Sequence, residues 1–456
     1  MLLKQFKTDG LAHFSYLIGA GDNAAVIDPQ LDVELYLAAA QAAGVQIRHI
    51  FETHRNEDFI SGAAHLARLT GAEVYHGPNP AGPVQYAQTV TEGFSVDVGQ
   101  LTLKVLETPG HTDDSISIAI FDTAYPDGAV GVFTGDALFI GDVGRTDFYP
   151  HRAEEVAGLL FDSLQKLLGL GDQTILYPAH GAGSVCGSGM AEREFSTLGH
   201  ERSNNPRLQI SDRDAFISAK LEETHYQPPY FKLMERLNLD GGTPGQSGSQ
   251  IPAASLNALQ PPETDILLDL RPIEAHLARH IPGSRLLPVD MIAAFGGWFL
   301  EEDMRIGLVS QTADAAREAV KHLNRIGFQK IEGFTTGLLG KAASGTETDL
   351  IATADTNAVA SRLAVSTENW TLLDVRSIEE FESGHIEGAE HVYVGDVLKD
   401  PARYLSDNGI TVMCGSGARA SLAASALKAA GQKGLDVYVG SIGAWRAADK
   451  PVTSDD

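Results

Sequence analysis

The sequence contains little cysteine, little positive charge and no long hydrophobic run. Only two of its 456 residues are cysteines, Cys186 and Cys414, and their wide separation excludes a disulfide framework. The formal net charge of −26 comes from 34 basic and 60 acidic side chains, which disfavours nucleic acid and anionic membranes as partners. No segment approaches the roughly 20 apolar residues of a membrane span, and the start has no signal-peptide run. We therefore expect a cytoplasmic protein with at least one free thiol.

The length predicts several domains, because one domain takes roughly 100–200 residues. Up to about residue 237, short β-branched or aromatic runs alternate with Ala/Leu-rich stretches, which is typical of an α/β domain. Residues 238–262 are dominated by Gly, Ser and Pro and have no apolar period. We predict a first domain at 1–237 and a linker at 238–262.

The remaining chain repeats itself. The stretch that begins at Asp265 resembles the stretch that begins at Thr371, and matching residues such as Asp269 and Asp374 lie 105 positions apart. A period of this length indicates two copies of one domain rather than a solenoid. We predict two small α/β domains with parallel sheets, at 263–347 and 351–456.

Three motifs of the first domain place a His or Asp at the end of a predicted strand. They are THRNEDF with His54, PGHTDD with His111 and TGDALF with Asp136, and YPAHG with His180 is a candidate fourth. Loops at strand ends can position reactive side chains that still reach solvent. Two imidazoles and one carboxylate suit a mononuclear iron(II) centre with open coordination positions.

These motifs resemble the metallo-β-lactamase superfamily, which implies an αββα sandwich for the first domain. The main motif of the superfamily is H-x-H-x-D-H, but this chain has Asn56 and Phe59 where its second and third histidines belong. A second metal would keep only Asp58 and His180, so a dinuclear hydrolytic site is disfavoured.

The closer resemblance is to the persulfide (sulfur) dioxygenase branch of that superfamily. Its iron ligands fall on His54, His111 and Asp136, which implies one iron(II) per chain, and the GDVGRTDF and GAGSVCG stretches are also similar. By analogy Arg145 and Tyr177 line the substrate pocket, although a loop salt bridge and a core aromatic are equal alternatives for them. Cys186, within GAGSVCG, fits a small buried residue better than a nucleophile.

The last copy contains an apolar strand, a six-residue loop from Cys414 to Arg419 and an Ala-rich helix. Small loop residues let backbone N–H groups point at the sulfur, and the helix N-terminus adds positive potential, so a thiolate or persulfide is stabilised. Arg419 can hold the loop or bind an anionic substrate. Together with DVR at Asp374, this loop resembles an active rhodanese domain.

The earlier copy lacks these groups. Alignment of the following helices places Ser310 opposite Cys414 and Ala315 opposite Arg419. We therefore predict an inactive rhodanese-like domain that packs between the outer domains or forms a subunit interface, which makes a homo-oligomer plausible.

The resemblances imply an enzyme that oxidises a low-molecular-weight persulfide, of the glutathione or coenzyme A type, with O₂ to sulfite and thiol. Cys414 would exchange sulfane sulfur among persulfide, sulfite and thiosulfate. Two alternatives stay open: a di-zinc thioester hydrolase of the glyoxalase II type, and a non-catalytic carrier or sensor of sulfane sulfur.

Overall fold

The computed structural model describes residues 1–80, 82–184, 187, 189–242, 250–365 and 369–454. The chain divides into two compact units. The first consists of Met1–Gln227, Phe231–Pro244 and Arg325–Gly327, and the second of the other residues. Cys186, the second cysteine of the sequence, lies outside the described residues.

The first unit contains two six-stranded sheets. In the first sheet the strands lie side by side in chain order, and β3 to β6 are parallel. Its strands are β1 (Leu2–Thr8), β2 (His13–Ala20), β3 (Asn23–Ile27), β4 (Gln46–Glu52), β5 (Glu73–His76) and β6 (Gln88–Thr89). The second sheet has the order β12-β11-β10-β9-β8-β7. Its strands are β7 (Ser95–Val98), β8 (Leu101–Glu107), β9 (Ile116–Asp122), β10 (Gly131–Gly135), β11 (Ile175–Pro178) and β12 (Ser196–Thr197).

Strand β9 shows why these sheets stack. Its sequence ISIAIFD is buried along almost its whole length. Ile118 and Ile120 point into the core between the two sheets, whereas Ala119 points into the core beneath the helices. Because strand side chains alternate between faces, an apolar residue at every position indicates a strand that is covered on both sides.

Helices cover the outer face of each sheet. Tyr36 and Leu66 pack against the first sheet, and Leu160 and Leu164, which are four positions apart on one helix face, pack against the second. The layers follow the order helix, sheet, sheet, helix, which confirms the predicted αββα sandwich. The helices are α1 (Glu34–Ala43), α2 (Ala63–Thr70), α3 (Ala153–Leu168), α4 (Leu198–Asn204), α5 (Arg213–Leu221) and α6 (Phe231–Asp240).

The second unit contains two parallel sheets. The four-stranded sheet has the order β14-β13-β15-β16, and its strands are β13 (Ile266–Asp269), β14 (Arg285–Leu286), β15 (Ile306–Val309) and β16 (Ile331–Thr335). The five-stranded sheet has the order β17-β21-β20-β18-β19. Its strands are β17 (Ala352–Ala354), β18 (Trp370–Asp374), β19 (Ala389–His391), β20 (Gly409–Met413) and β21 (Leu435–Tyr438).

These two sheets repeat one topology, because β14-β13-β15-β16 corresponds strand by strand to β19-β18-β20-β21. The helices of this unit are α7 (Ile273–Ala278), α8 (Ile292–Phe295), α9 (Ala313–Arg325), α10 (Leu338–Ala343), α11 (Thr356–Val365), α12 (Ile378–Glu382), α13 (Val394–Lys399), α14 (Ala418–Ala429) and α15 (Ser441–Ala447). The internal repeat predicted from the sequence is therefore present in the fold.

The predicted linker overlaps folded structure at both ends. Helix α6 continues to Asp240, and Leu256 and Leu259 are buried in a core of the second unit. Residues 243–249 of the predicted linker lie outside the described residues. Among the described residues, no helix combines the length and apolar composition that crossing a bilayer requires.

Candidate metal centre and sulfur-transfer loop

Three strand ends of the first unit bring the predicted ligands together. His54 follows β4, His111 follows β8 and Asp136 follows β10 directly, and all three side chains are buried. Oδ2 of Asp136 lies 3.5 Å from Nε2 of His111 and 3.8 Å from Nε2 of His54. The predicted triad is thus a compact set of donor atoms.

Glu57 joins this set and was not predicted from the sequence. Its carboxylate oxygens lie 3.0 Å from Nε2 of His111 and 3.7 Å from Nε2 of His54. One ligand atom from each of the four residues falls within 4.8 Å of all the others. Glu57 lies inside the THRNEDF motif, at a position that the superfamily motif leaves variable, so the motif alone gave no signal for it.

The hydrogen bonds of the two histidines orient both rings in the same way. Nδ1 of His111 donates to the carbonyl oxygen of Arg145 at 3.0 Å, and Nδ1 of His54 lies 2.9 Å from Oγ1 of Thr53. Since that hydroxyl donates to Asp28 at 2.9 Å, it accepts from His54. His54 therefore carries its proton on Nδ1 and presents the lone pair of Nε2 to the cluster, and the Nδ1 bond of His111 directs its Nε2 towards Glu57 and Asp136.

The electrostatics favour a cation between these groups. Burial lowers the pKa of His54 and so keeps its ring neutral. Burial works to raise the pKa of Asp136, but the neighbouring His180, His54 and His111 rings hold it below its ordinary range. Among the described residues, Nε2 of His54 and Oδ2 of Asp136 are buried without a hydrogen-bond partner. Buried polar atoms are rarely left so, and a metal ion at this point would satisfy both.

The half of the site that would hold a second metal is closed by hydrogen bonds. Nδ1 of His180 lies 2.7 Å from Oδ1 of Asp136, and its Nε2 lies 3.0 Å from Oδ2 of Asp58. Phe59 is buried and packs on the ring of His13 with centroids 4.2 Å apart. With both ring nitrogens of His180 engaged by carboxylates, the residues fit one metal ion rather than two.

In the second unit, Cys414 directly follows β20 and is buried at the start of the loop that leads into α14. The backbone N–H of Gly417 donates to its sulfur at 3.1 Å. The hydroxyl of Ser441 accepts from the Cys414 N–H at 3.0 Å and lies 4.0 Å from the sulfur. The Gly417 N–H, with the N-terminus of α14, favours negative charge on the sulfur.

Arg419 at the end of this loop is held by Glu380. The two guanidinium nitrogens Nη1 and Nη2 donate to the two Glu380 oxygens at 2.5 and 2.7 Å. Burial works to raise the pKa of Glu380, but Arg419 outweighs it and lowers that pKa. Glu380 is itself fixed, because it forms a capping box with Ser377 at the start of α12. Of the two roles considered for Arg419, the geometry favours holding the loop.

Comparisons with known proteins match two regions of the chain. The family model of the metallo-beta-lactamase superfamily matches residues 8–180, and that of the rhodanese-like domain matches residues 357–448. The crystal structure of a metallo-beta-lactamase from Staphylococcus aureus subsp. aureus COL is 31% identical, with a TM-score of 0.67. The match covers 74% of this chain and 99% of that one. The chain belongs to the metallo-beta-lactamase superfamily. It also carries a C-terminal rhodanese domain.

Two curated relatives are similar to part of this chain. The mitochondrial persulfide dioxygenase ETHE1 of Bos taurus is 27% identical over 278 residues, which are 58% of this chain and 91% of that protein. The hydroxyacylglutathione hydrolase of Rhodospirillum rubrum is 36% identical over 157 residues, or 34% of this chain. The chain spans only 56% of the length of that hydrolase.

The two residues predicted to line the substrate pocket of this metallo-beta-lactamase domain lie in different settings. Arg145 is buried, pairs with Asp147 at 2.6 Å, and its carbonyl orients His111. The ring of Tyr177 packs in the core between the sheets, with its centroid 5.3 Å from that of Phe133. Arg145 is thus tied to the metal cluster through its backbone, whereas the contacts of Tyr177 are those of a core aromatic; their contact with a substrate stays a prediction.

The middle copy lacks the charged pair as well as the thiol. The 105-residue offset places Ala275 opposite Glu380, and the alignment of the following helices places Ser310 opposite Cys414 and Ala315 opposite Arg419. The hydroxyl of Ser310 donates to the carbonyl oxygen of Thr312 at 2.8 Å. That this copy is a second rhodanese domain stays a prediction, because the family model matches only the last copy.

Proposed function

We propose that this protein is a mononuclear iron persulfide dioxygenase joined to a sulfurtransferase. The substrate would be a low-molecular-weight thiol persulfide of the glutathione or coenzyme A type, and the reaction RSSH + O₂ + H₂O → RSH + SO₃²⁻ + 2 H⁺. The observation that carries the proposal is the pair of buried atoms, Nε2 of His54 and Oδ2 of Asp136, that have no hydrogen-bond partner and lie beside Nε2 of His111. The same chain also contains a buried Cys414 whose sulfur accepts a backbone hydrogen bond.

Iron(II) bound there would supply open coordination positions and redox chemistry for O₂ and the persulfide sulfur. The protein supplies orientation. Thr53 and the Arg145 carbonyl fix the two imidazoles, and His180 holds the outer oxygen of Asp136. Outer partners of this kind commonly contribute 10–100-fold in metal affinity or activity.

The hydrolase alternative needs a second metal, and the residues argue against one. His180 is engaged by both Asp58 and Asp136, and Phe59 stands where the third histidine of the superfamily motif belongs. Sulfur chemistry also accounts for Cys414, which a thioester hydrolase leaves without a role.

At the second site, Cys414 would take sulfane sulfur from a persulfide. The thiolate attacks the outer sulfur of RSSH, the S–S bond breaks, and RS⁻ leaves and takes up the proton as RSH. The Gly417 N–H and the α14 N-terminus would stabilise the resulting Cys persulfide anion. Sulfite could then remove the outer sulfur as thiosulfate and regenerate the thiolate.

The decisive experiment is O₂ consumption by iron-loaded protein supplied with glutathione persulfide. We expect about one sulfite per O₂, counted as free sulfite plus the thiosulfate formed from it at Cys414, and loss of uptake in His111→Ala. His151→Ala is the matched control, because His151 is exposed, and it should retain full uptake. Iron-loaded protein that consumes no O₂ would overturn the dioxygenase proposal and favour the sulfur-carrier alternative.

A further inference from the structure

The cluster in the first unit contains one carboxylate more than the predicted triad. Oε1 of Glu57 lies 3.0 Å from Nε2 of His111 and Oε2 lies 3.7 Å from Nε2 of His54, while Oδ2 of Asp136 lies 3.5 and 3.8 Å from the same two nitrogens. One donor atom from each of the four residues lies within 4.8 Å of the other three. Four donors at the metal–ligand distance of about 2.1 Å form a tetrahedron with edges of about 3.4 Å, so a small adjustment brings all four donors onto one ion.

The loop that carries Glu57 is fixed from outside. The side-chain amide of Asn238 on α6 donates to the carbonyl oxygens of Asn56 and Phe59 at 2.7 and 2.8 Å, and its oxygen accepts from the Ser61 N–H at 2.9 Å. These bonds clamp the backbone on both sides of Glu57. A carboxylate on a clamped loop is presented to the cluster without the entropy cost of a free side chain.

The neighbouring Asn56 explains why a fourth ligand would be needed. It stands where the second histidine of the superfamily motif belongs, but its side-chain nitrogen lies 3.4 Å from the carbonyl oxygen of His54. Glu57, the next residue, supplies a carboxylate to the ligand cluster. The loop thus has a carboxylate one position after the place of the missing imidazole.

We propose that Glu57 is a fourth protein ligand and that the centre is a two-histidine, two-carboxylate site. This inference rests on the proposed metal centre but not on its reaction. Two carboxylates and two neutral imidazoles balance the charge of a divalent ion. The substrate-free site should therefore be four-coordinate and more closed than the three-ligand set that the sequence predicts.

Cobalt(II) titration of the full-length apoprotein tests this, because four-coordinate cobalt has far more intense visible bands than six-coordinate cobalt. We expect wild type to bind one cobalt with intense bands, and Glu57→Gln to lose intensity and bind at least about 10-fold more weakly. Glu222→Gln is the control, because Glu222 is exposed in the same unit, and it should match wild type.

Far-UV circular dichroism and a thermal unfolding profile that matches wild type would verify that Glu57→Gln is folded, and Glu57→Ala provides a second variant. Unchanged affinity and band intensity in both folded variants would overturn the role of Glu57 and leave the triad intact. Failure of wild type to bind cobalt would overturn the metal centre itself, and this inference with it. Since neither readout uses O₂, an inactive enzyme would leave the result interpretable.

Discussion

The two repeats of the second unit share a framework and differ in one loop. At the end of β13, Arg271 binds Asp269 at 2.6 Å, and at the end of β18, Arg376 binds Asp374 at the same distance. In the last copy, the loop after the next strand of the sheet holds Cys414, whereas in the middle copy the corresponding position is Ser310. The parts that define the topology have been kept, and the parts that carry chemistry have been replaced.

The middle copy lacks both members of the charged pair, not only one of them. Both members of the Arg419–Glu380 pair have alanine counterparts, Ala315 and Ala275. The loop there is instead closed by Thr312, whose hydroxyl accepts from the Ala315 N–H at 3.1 Å. A buried or half-buried charge that loses its partner is costly, so the two charges would be expected to disappear together. The comparison indicates that the Arg419–Glu380 pair supports the loop from Cys414 to Arg419 rather than the fold of the domain.

The largest effect should follow from removal of the thiol. Cys414→Ser should lower sulfur transfer from thiosulfate by at least about 1,000-fold, because a serine hydroxyl cannot carry sulfane sulfur. Ser310→Ala, at the corresponding position of the middle copy, should leave the rate within twofold. A cyanide-based thiocyanate assay measures both. Sulfur transfer that survives in Cys414→Ser would break the distinction between the copies.

A smaller loss should follow from breaking the charged pair. Arg419 packs over the loop, since its Nη2 lies 3.3 Å from where a Cβ on Gly415 would be. Arg419→Gln should lower sulfur transfer about 10- to 100-fold, because charge-assisted, bidentate bonds are among the strong ones.

Glu380→Gln separates the two roles of that arginine. If Arg419 holds the loop through Glu380, Glu380→Gln should also lose activity. The double variant should then be no less active than the less active of the two single variants. An increase in activity with Glu380→Gln would instead show that Arg419 binds the anion directly and that Glu380 competes with it. Steady-state kcat and KM for thiosulfate distinguish these outcomes.

The sequence alone predicts the functional residues that lie within one contiguous motif. The Cys414 loop, the repeat and the clustering of His54, His111 and Asp136 follow from short patterns whose strand context is also visible in the sequence. Glu57 and Glu380 do not, because their roles depend on contacts with His111 and Arg419, which are 54 and 39 positions away. Such contacts depend on how the strands pack, so they cannot be predicted from a local period or motif in the sequence.

The packing between the two copies should give a purely structural effect. Trp298 of the middle copy lies against Gly395 of α13, where an added Cβ would be 2.5 Å from the ring. Gly395→Ala should therefore destabilise the second unit by about 1–3 kcal/mol, the usual cost of overpacking. Gly340→Ala is the control, because Gly340 in α10 has nothing within 4 Å of an added Cβ, and it should stabilise by about 0.5–1 kcal/mol.

Urea unfolding followed by tryptophan fluorescence measures this packing selectively, since all three tryptophans, Trp298, Trp370 and Trp445, lie in the second unit. In a Trp298→Ala background the clash is absent, so Gly395→Ala should change from destabilising to mildly stabilising. If Gly395→Ala lowers the free energy of unfolding in both backgrounds, the destabilisation arises within α13 and not from Trp298. The contact between Trp298 and Gly395 would then contribute little to the packing of the middle copy against the last one.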